Sequence, residues 1–98
     1  MAEIVVSEFM TPEALALLDA HHTVHYDPTL WERADDLAAA VVDARAIIVR
    51  NRTQVRGPVL DAAARLEAVG RLGGGLDNID VAACEARGIK VLPAQGAN

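Results

Sequence analysis

Ninety-eight residues, 52% of them hydrophobic and 23% charged, suffice for one domain with a single core, and the balance is too apolar for disorder. A net charge of −5 argues against a nucleic-acid partner, and no apolar run approaches the ~20 residues of a membrane span. The N-terminus has no basic-then-apolar leader and a single cysteine, Cys84, excludes an internal disulfide, so a cytoplasmic domain spanning residues 1–98 is expected.

The first apolar run, Ile4–Ser7, is too short for a buried helix and reads as a strand. Thr11, Pro12 and Glu13 then supply an N-cap, a first-turn proline and a first-turn acid, and Ala14, Leu17, Leu18 and His21 follow at helical spacing. Thr23–Tyr26 is the second strand. The next helix carries Ala34, Leu37, Ala38 and Val41 on one face, and its start is open because Thr29 and Glu32 have capping-box spacing. Ala46–Val49 is the third strand, and Gly57-Pro58 opens a third helix with Val59, Leu60 and Ala63 inside. Ala68–Arg71 is the fourth strand. Asp80 caps a fourth helix that ends at Gly88, a residue suited to a left-handed cap, and Ile89–Leu92 is the fifth strand.

Strands joined by helical connections cannot form hairpins, so the sheet is expected to be parallel with right-handed crossovers. The fold class is α/β, flavodoxin-like, with strand order 2-1-3-4-5 and helices on both faces. Because Ala94-Gln95-Gly96-Ala97-Asn98 closes the sequence without a helix for the sheet's last face, the fold is expected to be incomplete at the C-terminus.

Ligands of open parallel sheets bind beyond the carboxyl ends of the strands. Two such segments stand out. Gly73-Gly74-Gly75 allows positive φ and close approach of an anion to backbone N–H groups. Arg50, Arg52 and Thr53 would place two guanidinium groups and a hydroxyl beside spare backbone N–H groups, and arginine can hold a carboxylate bidentately. Together with the glycine turn on the same sheet edge they make a candidate anion pocket.

Other features carry less. A dinucleotide fingerprint would need a third glycine where Asn78 stands and an acid about 20 residues on. His21, His22 and His25 lack further converging ligands, so no metal site is assigned. Cys84 reads as a buried, inert thiol, and Asp77 and Asp80 as turn and cap residues.

The stretch Val69-Gly70-Arg71-Leu72-Gly73-Gly74-Gly75-Leu76-Asp77-Asn78-Ile79-Asp80, with Val81-Ala82-Ala83 and Arg87-Gly88-Ile89-Lys90-Val91, resembles the D-isomer-specific 2-hydroxyacid dehydrogenases. Val49-Arg50-Asn51-Arg52-Thr53 is similar to that family's Arg-Ser-x-Thr segment with Asn51 in the serine position, and Gly96-Ala97-Asn98 to the motif that begins the crossing into its second lobe.

The resemblance implies the N-terminal, substrate-binding lobe of an oxidoreductase that transfers hydride between NAD or NADP and a small anionic 2-hydroxy or 2-keto acid. It implies that the N–H groups of Gly74 and Gly75 grip the substrate carboxylate, that Arg50 lines the pocket with Arg52 and Thr53 beside it, and that Asn98 sits near the cofactor cleft. Two arginines beside a carboxylate clamp then suggest a second anionic group on that acid, as in phosphoglycerate or sulfolactate. The catalytic residues and the nucleotide fingerprint belong to the second lobe. The chain alone is therefore expected to have no catalytic residue, no bound cofactor and no activity, and to expose an apolar face that leads to swapping, dimerisation or partial disorder, a homodimer being the expected partner state.

The rival from another class is a flavodoxin-like or receiver-like binding or assembly module. A receiver would need an aspartate at the end of the third strand, where Arg50-Asn51 stands, and a flavin site would need a Ser/Thr-rich loop in place of Ser7-Glu8-Phe9-Met10-Thr11.

Overall fold

A computed structural model describes residues 2–73 and 75–94. In chain order the elements are β1 (Ile4–Val6), α1 (Pro12–Asp19), β2 (Val24–Tyr26), a 3-10 turn (Leu30–Glu32), α2 (Ala34–Ala40), β3 (Ala46–Val49), α3 (Pro58–Ala62), β4 (Ala68–Leu72), α4 (Val81–Ala86) and β5 (Lys90–Ala94). The five strands form one sheet in the order β2-β1-β3-β4-β5, every pairing parallel. This is the expected doubly wound topology, with each predicted strand found within one or two residues of its place.

Alternation along the strands sorts the core into two layers. Val5, Ile47, Val49 and Val69 point to one face, where Leu37 and Val41 of the α2 region, Val59 and Leu60 of α3 and Cys84 of α4 pack on them. Ile4 and Val6 point to the other face, where α1 lays Ala14, Leu15 and Leu18 over them with Met10. The α1 cover does not reach the far edge of the sheet, and Leu92 on β5 is 54% exposed.

Two local expectations are corrected. Leu17 does not face the core but is 74% exposed, while Leu15 is packed instead. At 100° per residue, Leu17 lies about 110° around the helix from the centre of the Ala14, Leu15 and Leu18 stripe, and one helix lying over two strands buries only that narrow stripe. Nor do Thr29 and Glu32 form a capping box. The N–H and hydroxyl of Thr29 both donate to Asp27 Oδ1, at 3.0 and 3.1 Å, and the segment makes a separate 3-10 turn before α2.

The caps hold where the residues predict them. Ala14 N–H donates to Thr11 Oγ1 at 3.3 Å and Ala83 N–H to Asp80 Oδ1 at 3.0 Å. Gly88 takes φ +74°, the left-handed conformation that ends α4. The short α3 is tied down at its end by Arg87, whose guanidinium donates to the carbonyls of Leu60 and Ala63, each at 2.7 Å.

Candidate functional site

The site is built where the carboxyl ends of β3 and β4 lie side by side. Val49 pairs with Arg71 in register, so the segment after β3 and the glycine turn after β4 leave the sheet together. They stay together further on: Val55 N–H donates to Asn78 O at 2.9 Å and Asp80 N–H to Val55 O at 3.0 Å, a parallel bridge between the two loops.

Two buried polar side chains fix the loop that runs from Arg50 to Thr53. Glu8, just after β1, takes its N–H groups. Glu8 Oε2 accepts from Arg50 N–H at 2.8 Å and from Thr53 N–H at 2.9 Å, and Oε1 accepts from Arg52 N–H at 3.1 Å. Thr53 Oγ1 donates to the same Oε2 at 2.7 Å and in turn accepts from Ser7 Oγ at 2.7 Å. Asn78 takes the carbonyls: its Nδ2 donates to Arg50 O and to Thr53 O, each at 2.8 Å. Asn78 Oδ1 accepts from Arg71 Nε at 3.1 Å, which joins this loop to β4.

Glu8 is 3% exposed, and burial by itself would push its carboxyl upward. The Thr53 hydroxyl and the N–H groups of Thr53, Arg50 and Arg52 outweigh that, and hold the carboxyl below its ordinary 4.5. The residue is a fixed negative charge inside the protein.

In front of this brace lies an open depression of about 410 Å³ lined by Arg50, Asn51, Arg71, Leu72, Gly73 and Asp77. Arg71 points inward with Val69, is 4% exposed, and has Nη2 3.5 Å from Asp77 Oδ1. Gly73 and Gly75 have φ of +90° and +85°, a conformation an L side chain adopts only with strain. A Cβ on Gly75 would also come within 3.3 Å of Asp77 Oδ1.

The candidate residues divide accordingly. Arg50 lies in the depression with Gly73, and Gly75 follows in the exposed turn. Gly74 and Asn98 lie outside the described residues. Three expectations are corrected. The N–H groups of Arg50, Arg52 and Thr53 are not spare, because Glu8 has them. Thr53 is fully buried with its hydroxyl on Glu8, so it supports the loop from beneath and does not face a ligand. Arg52 is not among the residues that line the depression with Arg50; its guanidinium carbon lies 4.9 Å from the centre of the Trp31 ring, a cation–π contact.

Glu8, Asn78, Asn51 and Arg71 were absent from the candidate set. Period-two alternation could have flagged Arg71, since it follows Val69 on the buried side of the strand. The remaining candidates are inert: burial pushes the Cys84 thiol up, and His21, His22 and His25 are exposed and away from the depression.

The described residues do not themselves fit a dinucleotide. In the glycine turn Asn78 stands in the third glycine position with its side chain engaged on both loops. The N-terminus of α4, where a pyrophosphate would rest, carries the Asp80 carboxylate as its cap.

Comparison with known proteins agrees with this architecture. The chain is 47% identical over 98 residues to an (S)-sulfolactate dehydrogenase of Chromohalobacter salexigens, covering all of this chain and 32% of that protein. It is 50% identical over 95 residues to a D-3-phosphoglycerate dehydrogenase of Mycobacterium bovis, covering 97% of this chain and 18% of that protein. It thus spans a third or less of the length of these relatives. Among solved structures, the PH0520 protein of Pyrococcus horikoshii superposes with a TM-score of 0.88 at 29% identity, over 99% of this chain and 28% of that one. The NAD+-bound 3-phosphoglycerate dehydrogenase of Entamoeba histolytica superposes with a TM-score of 0.78 at 26% identity, over 94% of this chain and 32% of that one. The family description "D-isomer specific 2-hydroxyacid dehydrogenase, catalytic domain" matches residues 4–98, and the chain belongs to that family.

Proposed function

We propose that this chain is the substrate-binding lobe of a nicotinamide-dependent 2-hydroxyacid dehydrogenase, and that the depression beyond β3 and β4 receives the acid. The observation that carries this reading is the placement of Arg50 beside Gly73, on a loop whose N–H groups and carbonyls are both held by buried side chains. A guanidinium fixed at its base loses less freedom on binding a carboxylate than one on a mobile loop. The neighbouring glycine turn supplies backbone N–H groups without a side chain in the way.

The reading extends to the class of acid. Arg71 is 4% exposed and its Nη2 lies 3.5 Å from Asp77 Oδ1, so in this reading Arg50 and the N–H groups of the glycine turn share the carboxylate and a second anionic group. The names of the sulfolactate and phosphoglycerate dehydrogenases among its relatives point the same way. The three histidines are exposed and do not line the depression, which fits a reading in which proton transfer to the reacting oxygen and hydride transfer belong to residues and a cofactor outside these 98 residues.

Titration of the ¹⁵N-labelled chain with sulfolactate and, separately, with lactate tests this. Sulfolactate is expected to move the amides of Arg50, Gly73 and Gly75, to bind about tenfold or more tightly than lactate, and to lose at least that factor in Arg50→Met. Shifts confined to other parts of the sheet would overturn the site. Equal affinities for the two acids would overturn the second anionic group.

A further inference from the structure

Behind the depression the chain puts a carboxylate of its own where an anion-binding loop would hold its ligand. The N–H groups of Arg50, Arg52 and Thr53 turn inward at the end of a parallel strand and make a concave set of donors of the kind that grips phosphate or carboxylate groups. Glu8 fills it from β1, with the Thr53 hydroxyl as a fourth donor at 2.7 Å. Because the carboxylate is 42 to 45 residues away from these donors in sequence, it ties β1 to the loop after β3 and restrains the backbone that carries Arg50. Arg50 is exposed and lines the depression, and none of the ion pairs among the described residues engages it.

We propose that Glu8 is a positioning residue for ligand binding, a built-in anion that satisfies the backbone donors of the 50–53 loop and thereby makes the Arg50 side chain, not those N–H groups, meet the ligand. Without it the same loop would offer its N–H groups to any small anion, and Arg50 would move with a loop no longer anchored. The inference rests on the reading of the depression as an acid site.

The test uses this chain with sulfolactate and formate as probes. Glu8→Gln keeps the size but loses the charge and turns an N–H group toward N–H groups. It is expected to raise the sulfolactate dissociation constant about tenfold and to shift the amide resonances of Arg50, Arg52 and Thr53. Glu8→Ala empties the cradle. Added formate is expected to enter it, returning those three amides toward their wild-type positions and restoring most of the affinity, while leaving the wild-type protein unchanged. A residue that only stabilises the fold would not make sulfolactate affinity depend on formate.

An affinity within about twofold of wild type in folded Glu8→Gln overturns the proposal, as does a loss in Glu8→Ala that formate does not recover. If Glu8→Ala does not fold, Glu8→Asp replaces it: the shorter carboxylate is expected to retain more affinity than Glu8→Gln, and the reverse order overturns the proposal. Wild-type protein that binds no sulfolactate overturns the reading of the site and this inference with it. Wild-type binding that is untouched by Glu8→Gln overturns this inference alone.

Discussion

The two ends of the sheet carry comparable numbers of charges and use them in opposite ways. At the amino end of the strands a hollow of about 500 Å³ is lined by Ala2, Glu3, Asp43, Arg45, Arg65 and Glu67, and is larger than the depression at the carboxyl end. Its charges meet one another in solvent: Arg45 Nε lies 2.9 Å from Glu67 Oε2 and Arg45 Nη1 lies 3.7 Å from Glu3 Oε2, between exposed side chains. At the carboxyl end Glu8, Thr53, Arg71 and Asn78 are all buried, and Glu8 and Asn78 spend their hydrogen bonds chiefly on backbone. Exposed pairs are screened and lose side-chain entropy, whereas a buried polar group persists only with its partners in fixed positions. The end whose loops are held by buried partners, not the end with the larger hollow, is the one proposed above to receive the ligand.

The largest effect expected from this contrast falls on Asn78. Asn78→Ala leaves the carbonyls of Arg50 and Thr53 without their donor, leaves Arg71 Nε without that acceptor, and opens a cavity at a side chain that is 1% exposed. Chemical denaturation is expected to show a loss of about 2–4 kcal/mol. Asn78→Asp keeps the shape but sets a carboxylate against two carbonyl oxygens, and is expected to be no better. A loss as small as that of an exposed residue would remove the distinction between the two ends.

What the sequence shows and hides follows the range of the interactions. Strands and caps depend on neighbours a few residues away, so Val5, Ile47 and Val69, the Thr11 and Asp80 caps and the left-handed Gly88 are readable along the chain. The glycine turn is readable too, because positive φ at Gly73 and Gly75 is a local property. Glu8 looks like any loop acid after a short strand until the sheet brings β1 beside β3. Asn78 likewise finds its carbonyl partners 25 and 28 residues away. Adjacent positions also proved a poor guide to shared sites: Arg50 and Arg52 are two residues apart, yet Trp31 draws Arg52 away while Arg50 stays with Arg71.

Acid sharpens the comparison next, because Glu8 titrates differently in the folded and unfolded chain. Its folded carboxyl lies below the ordinary 4.5, so in the acid range the unfolded chain binds the proton more readily and stability rises with pH. The Glu8 contribution is complete above about 4.5 and is lost as pH falls through the lower folded value. Unfolding free energies measured from neutral to acid pH are therefore expected to fall more steeply in wild type than in Glu8→Gln, the two converging at the acid end. Parallel curves would mean that the carboxylate is not held as an anion.

The smallest effect is expected at the amino end, from Arg45→Gln. Glu67 is held below its ordinary 4.5 by its hydrogen bond and charge attraction to Arg45, so in the variant its carboxyl should return toward that value, as carbon NMR of the carboxyl group would show. Both partners are exposed, so the pair is screened, and any change in the denaturation midpoint should shrink further as salt is added. Sulfolactate affinity should stay within about twofold of wild type, because the Arg45 side chain pairs with Glu67 and Glu3 and, among the described residues, with none of those that hold the Arg50 loop. A variant that altered sulfolactate binding from the far end of the strands would show that the sheet transmits strain along its length. Burial at the carboxyl end would then no longer explain, by itself, where the ligand is held.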